Sequence, residues 1–129
     1  MIDQAETLVR RALQENATIA FSADLGPDLL VPWRHPTLTV VYTDVAPESV
    51  ATGLVPAEGR ADASIIARWT SDATLLTPTP PWPQVVDGIP LTDPVQQWWD
   101  LLDLGGDDRR EAADRLHVAI LERSLPGAR

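Results

Sequence analysis

The sequence predicts a mixed α+β fold of the α/β type: a mixed sheet of about four to six strands with helices packed on it, closed by a C-terminal αα-hairpin. Three observations carry this expectation. Apolar residues recur at helical spacing near both ends of the chain, a β-branched run, Thr37-Leu38-Thr39-Val40-Val41-Tyr42-Thr43, occupies its middle, and the twelve prolines fall at the boundaries between such stretches. With 129 residues and no internal repeat, one domain over residues 1–129 is the expectation.

The elements follow in order. Asp3 and Glu6 form a capping box, and Ala5, Leu8, Val9, Ala12 and Leu13 then repeat at helical spacing to about Asn16, which predicts an amphipathic helix. Ala17 to Phe21 suits a short buried strand, and Ser22 is placed to cap a brief helix that Pro32 ends. The Thr37–Thr43 run is the best candidate for a central strand. Asp44 leads to Pro47 at the first turn of another short helix, stopped by Gly53. Ala61 to Trp69 alternates as a strand, and Ala73 to Thr77 reads as its antiparallel neighbour. Thr79-Pro80-Pro81-Trp82-Pro83 must be extended, and Asp87-Gly88 favours a type I′ turn between Val85-Val86 and Ile89-Pro90, with Pro90 confining its arm to an edge. Asp93 as cap, Pro94 at the first helical position and Gln96 three residues after the cap start a helix with Val95, Trp98, Trp99 and Leu102 on one stripe. That stripe is expected to pack on a final helix through Leu116 and Ile120, so that Trp98→Ala or Trp99→Ala would each cost about 3–5 kcal/mol. Gly105-Gly106 ends the first helix of the hairpin, and Asp107 or Asp108 caps the second.

Composition excludes several chemistries. The absence of cysteine removes disulfides, thiolate zinc sites and cysteine nucleophiles. A net charge of −9 repels phosphate backbones, so direct nucleic-acid binding by this chain is not expected. No apolar run reaches the roughly 18 residues of a membrane span, and acidic residues as early as Asp3 and Glu6 do not suit a signal peptide, so a cytoplasmic location is expected. His35 and His117 stand in separate elements without a carboxylate or second imidazole at ligand spacing, and no glycine-rich phosphate loop or nucleophile elbow occurs. Neither a cofactor nor a metal is expected.

One arrangement points to nucleotidyl transfer. Phe21-Ser22-Ala23 followed by a helix, then Thr39 to Asp44 on a strand, has the layout of a minimal nucleotidyltransferase, in which two carboxylates on one strand hold magnesium against triphosphate oxygens. Here Tyr42 stands where the partner of Asp44 would be. Ser22 and Asp44 are therefore read as degenerate positions, with Asp44 serving as a helix cap; a magnesium-dependent nucleotidyltransferase-like enzyme is the alternative. Trp33 with Arg34, and Trp82, sit among prolines, where tryptophans act either as plugs over the core or as anchors of a partner-binding patch.

The segment from Asp87 to Leu102, with Asp93-Pro94-Val95-Gln96 and Asp100-Leu101-Leu102, followed by Gly105-Gly106 and Glu111-Ala112-Ala113, resembles the C-terminal part of AbiEi-like abortive-infection antitoxins. Phe21-Ser22-Ala23 and the Val40-Val41-Tyr42 strand are similar to that family's turn and strand, so the resemblance spans roughly residues 17 to 121. It implies a bacterial regulatory body with a degenerate nucleotidyltransferase-like core. Such a body acts without catalysis, through a protein partner that is a cognate toxin or a DNA-binding head. The winged-helix head that usually precedes it in that family is not seen in this chain. A homodimer, or a stand-alone oligomerisation domain, is the remaining reading.

Overall fold

Helix α1 (Ile2–Gln14) buries Ala5, Leu8 and Ala12, the stripe its apolar spacing requires. Asp3 lies inside the first turn and is not its cap; its backbone carbonyl accepts from the Thr7 hydroxyl at 2.9 Å, and its charge complements the positive end of the helix dipole. The computed structural model of the chain describes residues 2–32, 36–46, 58–59, 63–77 and 85–125. The expected helix from Pro47 to Gly53 and the extended segment from Thr79 to Pro83 lie outside the described residues.

Strand β1 (Ile19–Phe21) pairs antiparallel with β2 (Thr39–Thr43), and β2 pairs in parallel with β3 (Ile65–Trp69), so the β-branched run is the central strand. Between β1 and β2 lies the short helix α2 (Leu25–Leu30). Ser22 does not cap it through its side chain: the Ser22 backbone carbonyl accepts from Gly26 N–H at 2.8 Å, and its hydroxyl is engaged elsewhere.

Residues 73–76 are not a strand antiparallel to β3 but a helical turn, α3 (Ala73–Leu76). Asp72 explains the difference. Its Oδ1 accepts from the N–H groups of Thr74 (3.0 Å) and Leu75 (3.4 Å) and from the Thr74 hydroxyl (2.7 Å), satisfying donors that a strand would have sent to a neighbour. Those bonds also hold the Asp72 carboxyl below the usual carboxylate range, the Thr74 hydroxyl contributing most.

Strands β4 (Val85–Val86) and β5 (Ile89–Pro90) form the expected hairpin, with Asp87 at φ 52° and Gly88 at φ 78°, the two positive angles of a type I′ turn. The five strands of the described residues thus divide between a three-stranded mixed sheet and a two-stranded one. Leu91, just past β5, forms an isolated parallel bridge to Phe21 and so places the hairpin beside β1.

Helices α4 (Pro94–Leu104) and α5 (Asp107–Leu121) form the αα-hairpin, joined through Gly105 and Gly106 at φ 82° and 94°, angles that side-chain-bearing residues rarely adopt. Asp93 caps α4 by accepting from Val95 N–H at 2.7 Å. Gly106 takes the cap position of α5, and Asp107 and Asp108 instead fill its first turn.

Strand alternation sorts the apolar side chains into two buried groups. Ile19, Phe21 and Val41 join α1, α2, Leu101 of α4 and the buried alanines and Leu116 of α5. Ala20, Val40 and Tyr42 point the other way and meet Leu76 of α3, with Leu104 of α4 at the edge of both groups.

Candidate functional site

Helix α4 turns toward the protein a mixed face and not the expected Val95-Trp98-Trp99-Leu102 stripe. Pro94, Gln97, Asp100 and Leu101 are its buried residues. Val95, Trp99 and Leu102 are 52%, 61% and 40% exposed, and Trp98 is half-buried with its ring centroid 5.9 Å from that of His117. The expectation that both tryptophans are core is corrected for Trp99, while Trp98 is half-buried and packed against the larger buried group.

The reason is a carboxyl group. Asp100 is 1% exposed and lies under the β1–β2–β3 sheet on the side of Tyr42. Its Oδ2 accepts from the Ser22 hydroxyl at 2.6 Å and the Tyr42 hydroxyl at 2.9 Å; its Oδ1 accepts from Gln96 Nε2 at 3.2 Å and Arg68 Nη1 at 3.5 Å. Gln96 and Arg68 also donate to the Tyr42 oxygen at 3.2 and 3.3 Å, and Arg68 Nη2 lies 3.6 Å from Asp103 Oδ2. Gln96 is therefore not the return arm of a capping box. Four elements supply the set: the end of β1, then β2, β3 and α4. Charge-assisted hydrogen bonds to a buried carboxylate are worth more than neutral ones, and a carboxylate taken from water needs all of its acceptor sites filled, which favours this face over the apolar stripe.

The environment shifts its neighbours. Burial, and next the negative charge of Asp100, raise the Tyr42 hydroxyl above its ordinary pKa, so it remains a proton donor. For Arg68, burial opposes the charge but is outweighed by the Tyr42 hydrogen bond and by Asp100 and Asp103, which strengthen its basicity. Gln97, also fully buried, donates from Nε2 to the Thr92 carbonyl at 2.9 Å, while its Oε1 faces Gly26 of α2 and accepts no hydrogen bond among the described residues. A β-carbon at Gly26 would stand 2.7 Å from that oxygen and 3.2 Å from the Phe21 carbonyl oxygen, so any larger residue there requires the Gln97 side chain to shift. A second ion pair, Arg109 Nε to Asp24 Oδ1 at 2.9 Å and Nη2 to Oδ2 at 3.0 Å, fastens the start of α5 to the turn after β1.

Of the positions singled out in the sequence, Ser22 belongs to this set and Asp44 does not. Asp44 Oδ1 accepts from Thr18 N–H at 2.9 Å at the opposite end of the β1–β2 ladder, so it fastens that end and the pair of degenerate positions is not brought together. Trp33, Arg34, His35 and Trp82 lie outside the described residues. Among the described residues no group of three or more His, Asp or Glu side chains is arranged to hold a metal ion. Sequence reasoning missed Tyr42, Arg68, Gln96 and Asp100 as a set, although Gln96 and Asp100, one turn apart, formed a legible polar stripe.

The arrangement can fasten, but its carboxyl oxygens and the Ser22 hydroxyl are occupied by one another and shielded from water. Two surface hollows of about 280 Å³ each lie elsewhere. One is at Gly105–Arg109; the other is apolar, between Val9, Leu13, Ile19, Leu76 and Val85. What the clamp leaves facing solvent is the tryptophan stripe of α4. No helix of the described residues is long and apolar enough to cross a membrane. No family model, no curated protein and no solved structure matches the chain.

Proposed function

We propose that the chain is a non-catalytic binding domain that acts through a protein partner, with the outer face of α4 as its docking surface. One observation carries this reading: Val95, Trp99 and Leu102 stand exposed in a single stripe on a helix whose opposite face is fixed by the Asp100 clamp. Rotating the stripe inward would carry the buried Pro94 and Leu101 into water and break every hydrogen bond of a buried carboxyl group. The clamp thus holds a large aromatic residue in water, and tryptophan in such a place is the residue type most enriched among binding hot spots. The resemblance to AbiEi-like antitoxins supports the same class of function, in which the partner is a nucleotidyltransferase-type toxin or a DNA-binding head.

The test is a binding measurement with the purified product of the adjacent reading frame as partner. The expected result is a stoichiometric complex in calorimetry that Trp99→Glu abolishes while circular dichroism shows an unchanged fold. Absence of a complex argues against the toxin as partner, and an unaffected Trp99→Glu complex removes α4 as the docking face.

A further inference from the structure

The charge around the stripe identifies what fits it. Between Asp93 and Arg123 the hairpin carries eight acidic residues and four arginines. Two of those arginines are already engaged, Arg109 with Asp24 and Arg115 with Glu111 at 3.5 Å. Asp107, Asp108, Glu111 and Asp114 on α5 are exposed, as is Asp103 on α4; of these, Glu111 is paired with Arg115 and Asp103 lies 3.6 Å from Arg68, which leaves Asp107, Asp108 and Asp114 as the charges of that group without an ion pair among the described residues. The apolar strip of α4 therefore stands on a hairpin with twice as many acidic residues as arginines. A second copy of the chain would bring the same acidic excess, and another net −9, against it.

We propose that the occupant of this face is a basic amphipathic helix of the partner, seated with its apolar side on Val95, Trp99 and Leu102 and its cations toward the exposed acidic residues of the hairpin. The inference rests on the docking reading above and adds the chemistry of the partner. The stripe has the dimensions for it: Val95 to Leu102 spans about 10 Å at the rise of an α-helix, two turns of a partner laid alongside. Apolar anchors at helical spacing, rimmed by complementary charge, are the features by which helices are recognised in grooves and on faces. Steering by opposite charge speeds encounter, and the tryptophan then supplies the buried contact.

The experiment uses the full chain and two labelled synthetic peptides of about four turns, with the same apolar spacing, one built of leucine and lysine and the other of leucine and glutamate. Anisotropy titration of the Leu/Lys peptide is expected to saturate, to weaken about tenfold or more in Trp99→Glu, and to remain unchanged in Val85→Glu, an equally exposed apolar position on β4. The loss in Trp99→Glu is expected despite its added negative charge, which separates apolar anchoring from simple attraction. Asp114→Asn is expected to weaken binding about two- to threefold, and raised salt is expected to weaken it further. Binding of the Leu/Glu peptide with equal affinity would overturn the basic-helix assignment while leaving α4 as a docking face. Failure of both peptides, or binding indifferent to Trp99→Glu, overturns it as well. So do two other outcomes that depend on Trp99: uptake of the chain by phosphatidylcholine vesicles, and dimerisation in sedimentation.

Discussion

Helices α1 and α4 both pack on the larger buried group, yet α1 buries only apolar side chains and α4 buries two polar ones beside Pro94 and Leu101. In α1 the inward residues are Ala5, Leu8 and Ala12, and Glu6 and Arg10 face water. In α4 the inward residues include Gln97 and Asp100, and the most exposed is Trp99. The difference teaches that burial follows the sum of apolar transfer and polar satisfaction. Where a pre-arranged set of donors waits in the sheet, one carboxyl group with four partners, together with the burial of Pro94 and Leu101, outweighs the transfer of a valine, a leucine and a tryptophan. The fourth member of the stripe, Trp98, still packs on His117 and the larger buried group. In α1 no polar side chain meets such a set, and the apolar stripe decides.

If the clamp dictates how α4 lies, its loss must be costly. Asp100→Ala leaves Ser22 and Tyr42 as buried donors without an acceptor and Arg68 with Asp103 as its remaining carboxylate, and it is expected to cost about 3–5 kcal/mol in urea unfolding, as much as truncating a large apolar core residue. A loss below about 1 kcal/mol would break the comparison.

The close approach of α2 to Gln97 provides the next test. Gly26→Ala forces a β-carbon to within 2.7 Å of Gln97 Oε1 and is expected to destabilise by about 1–3 kcal/mol. In the double variant with Gln97→Ala the penalty is expected to be largely relieved, and simple additivity in the double-mutant cycle would contradict the contact.

Tyr42 sharpens the electrostatic side. Its pKa is raised in the folded chain, so its contribution is fully present below the unfolded value of about 10 and is lost as pH rises through the folded value. Stability measured from neutral pH to above 11 is expected to fall on the alkaline side, and Tyr42→Phe should flatten that fall while costing about 1–2 kcal/mol at neutral pH. An alkaline arm unchanged in Tyr42→Phe would assign it to other groups. The smallest effect belongs to the stripe itself: Trp99→Ala is expected to stay within about 0.5 kcal/mol of the parent, against the 3–5 kcal/mol that a core tryptophan would lose.

Much of the fold was legible because it depends on neighbours in sequence. The α1 stripe, the β-branched run that became β2, the Asp87-Gly88 turn, the Asp93 cap and the Gly105-Gly106 stop each follow from local sterics and backbone satisfaction. The failures depend on partners far away or on a competing local bond. Ala73 to Thr77 looks like a strand until the Asp72 side chain takes the first donors of a helical turn. Ser22 looks like a cap, but its hydroxyl finds Asp100, 78 residues on. On α4 two stripes compete, Val95-Trp98-Trp99-Leu102 and Pro94-Gln97-Leu101-Leu104, and nothing local says that the second, with Asp100 beside it, meets Tyr42 and Arg68. Two polar residues one turn apart, in a chain that also places a tyrosine and an arginine on adjacent strands, were the available signal. The pairing of β2 with β3 had to be known before it could be used.

The orientation of α4 can be read directly by thiol labelling, because the chain has no cysteine of its own. Trp99→Cys and Gln97→Cys, each in an otherwise unchanged chain, would be exposed to a thiol reagent under native conditions and again in urea. The account predicts that Trp99→Cys reacts natively at a rate close to that of the unfolded chain, while Gln97→Cys is protected until the chain unfolds. Rapid native labelling of Gln97→Cys together with protection of Trp99→Cys would contradict it, placing the tryptophan stripe in the core and the polar face in water.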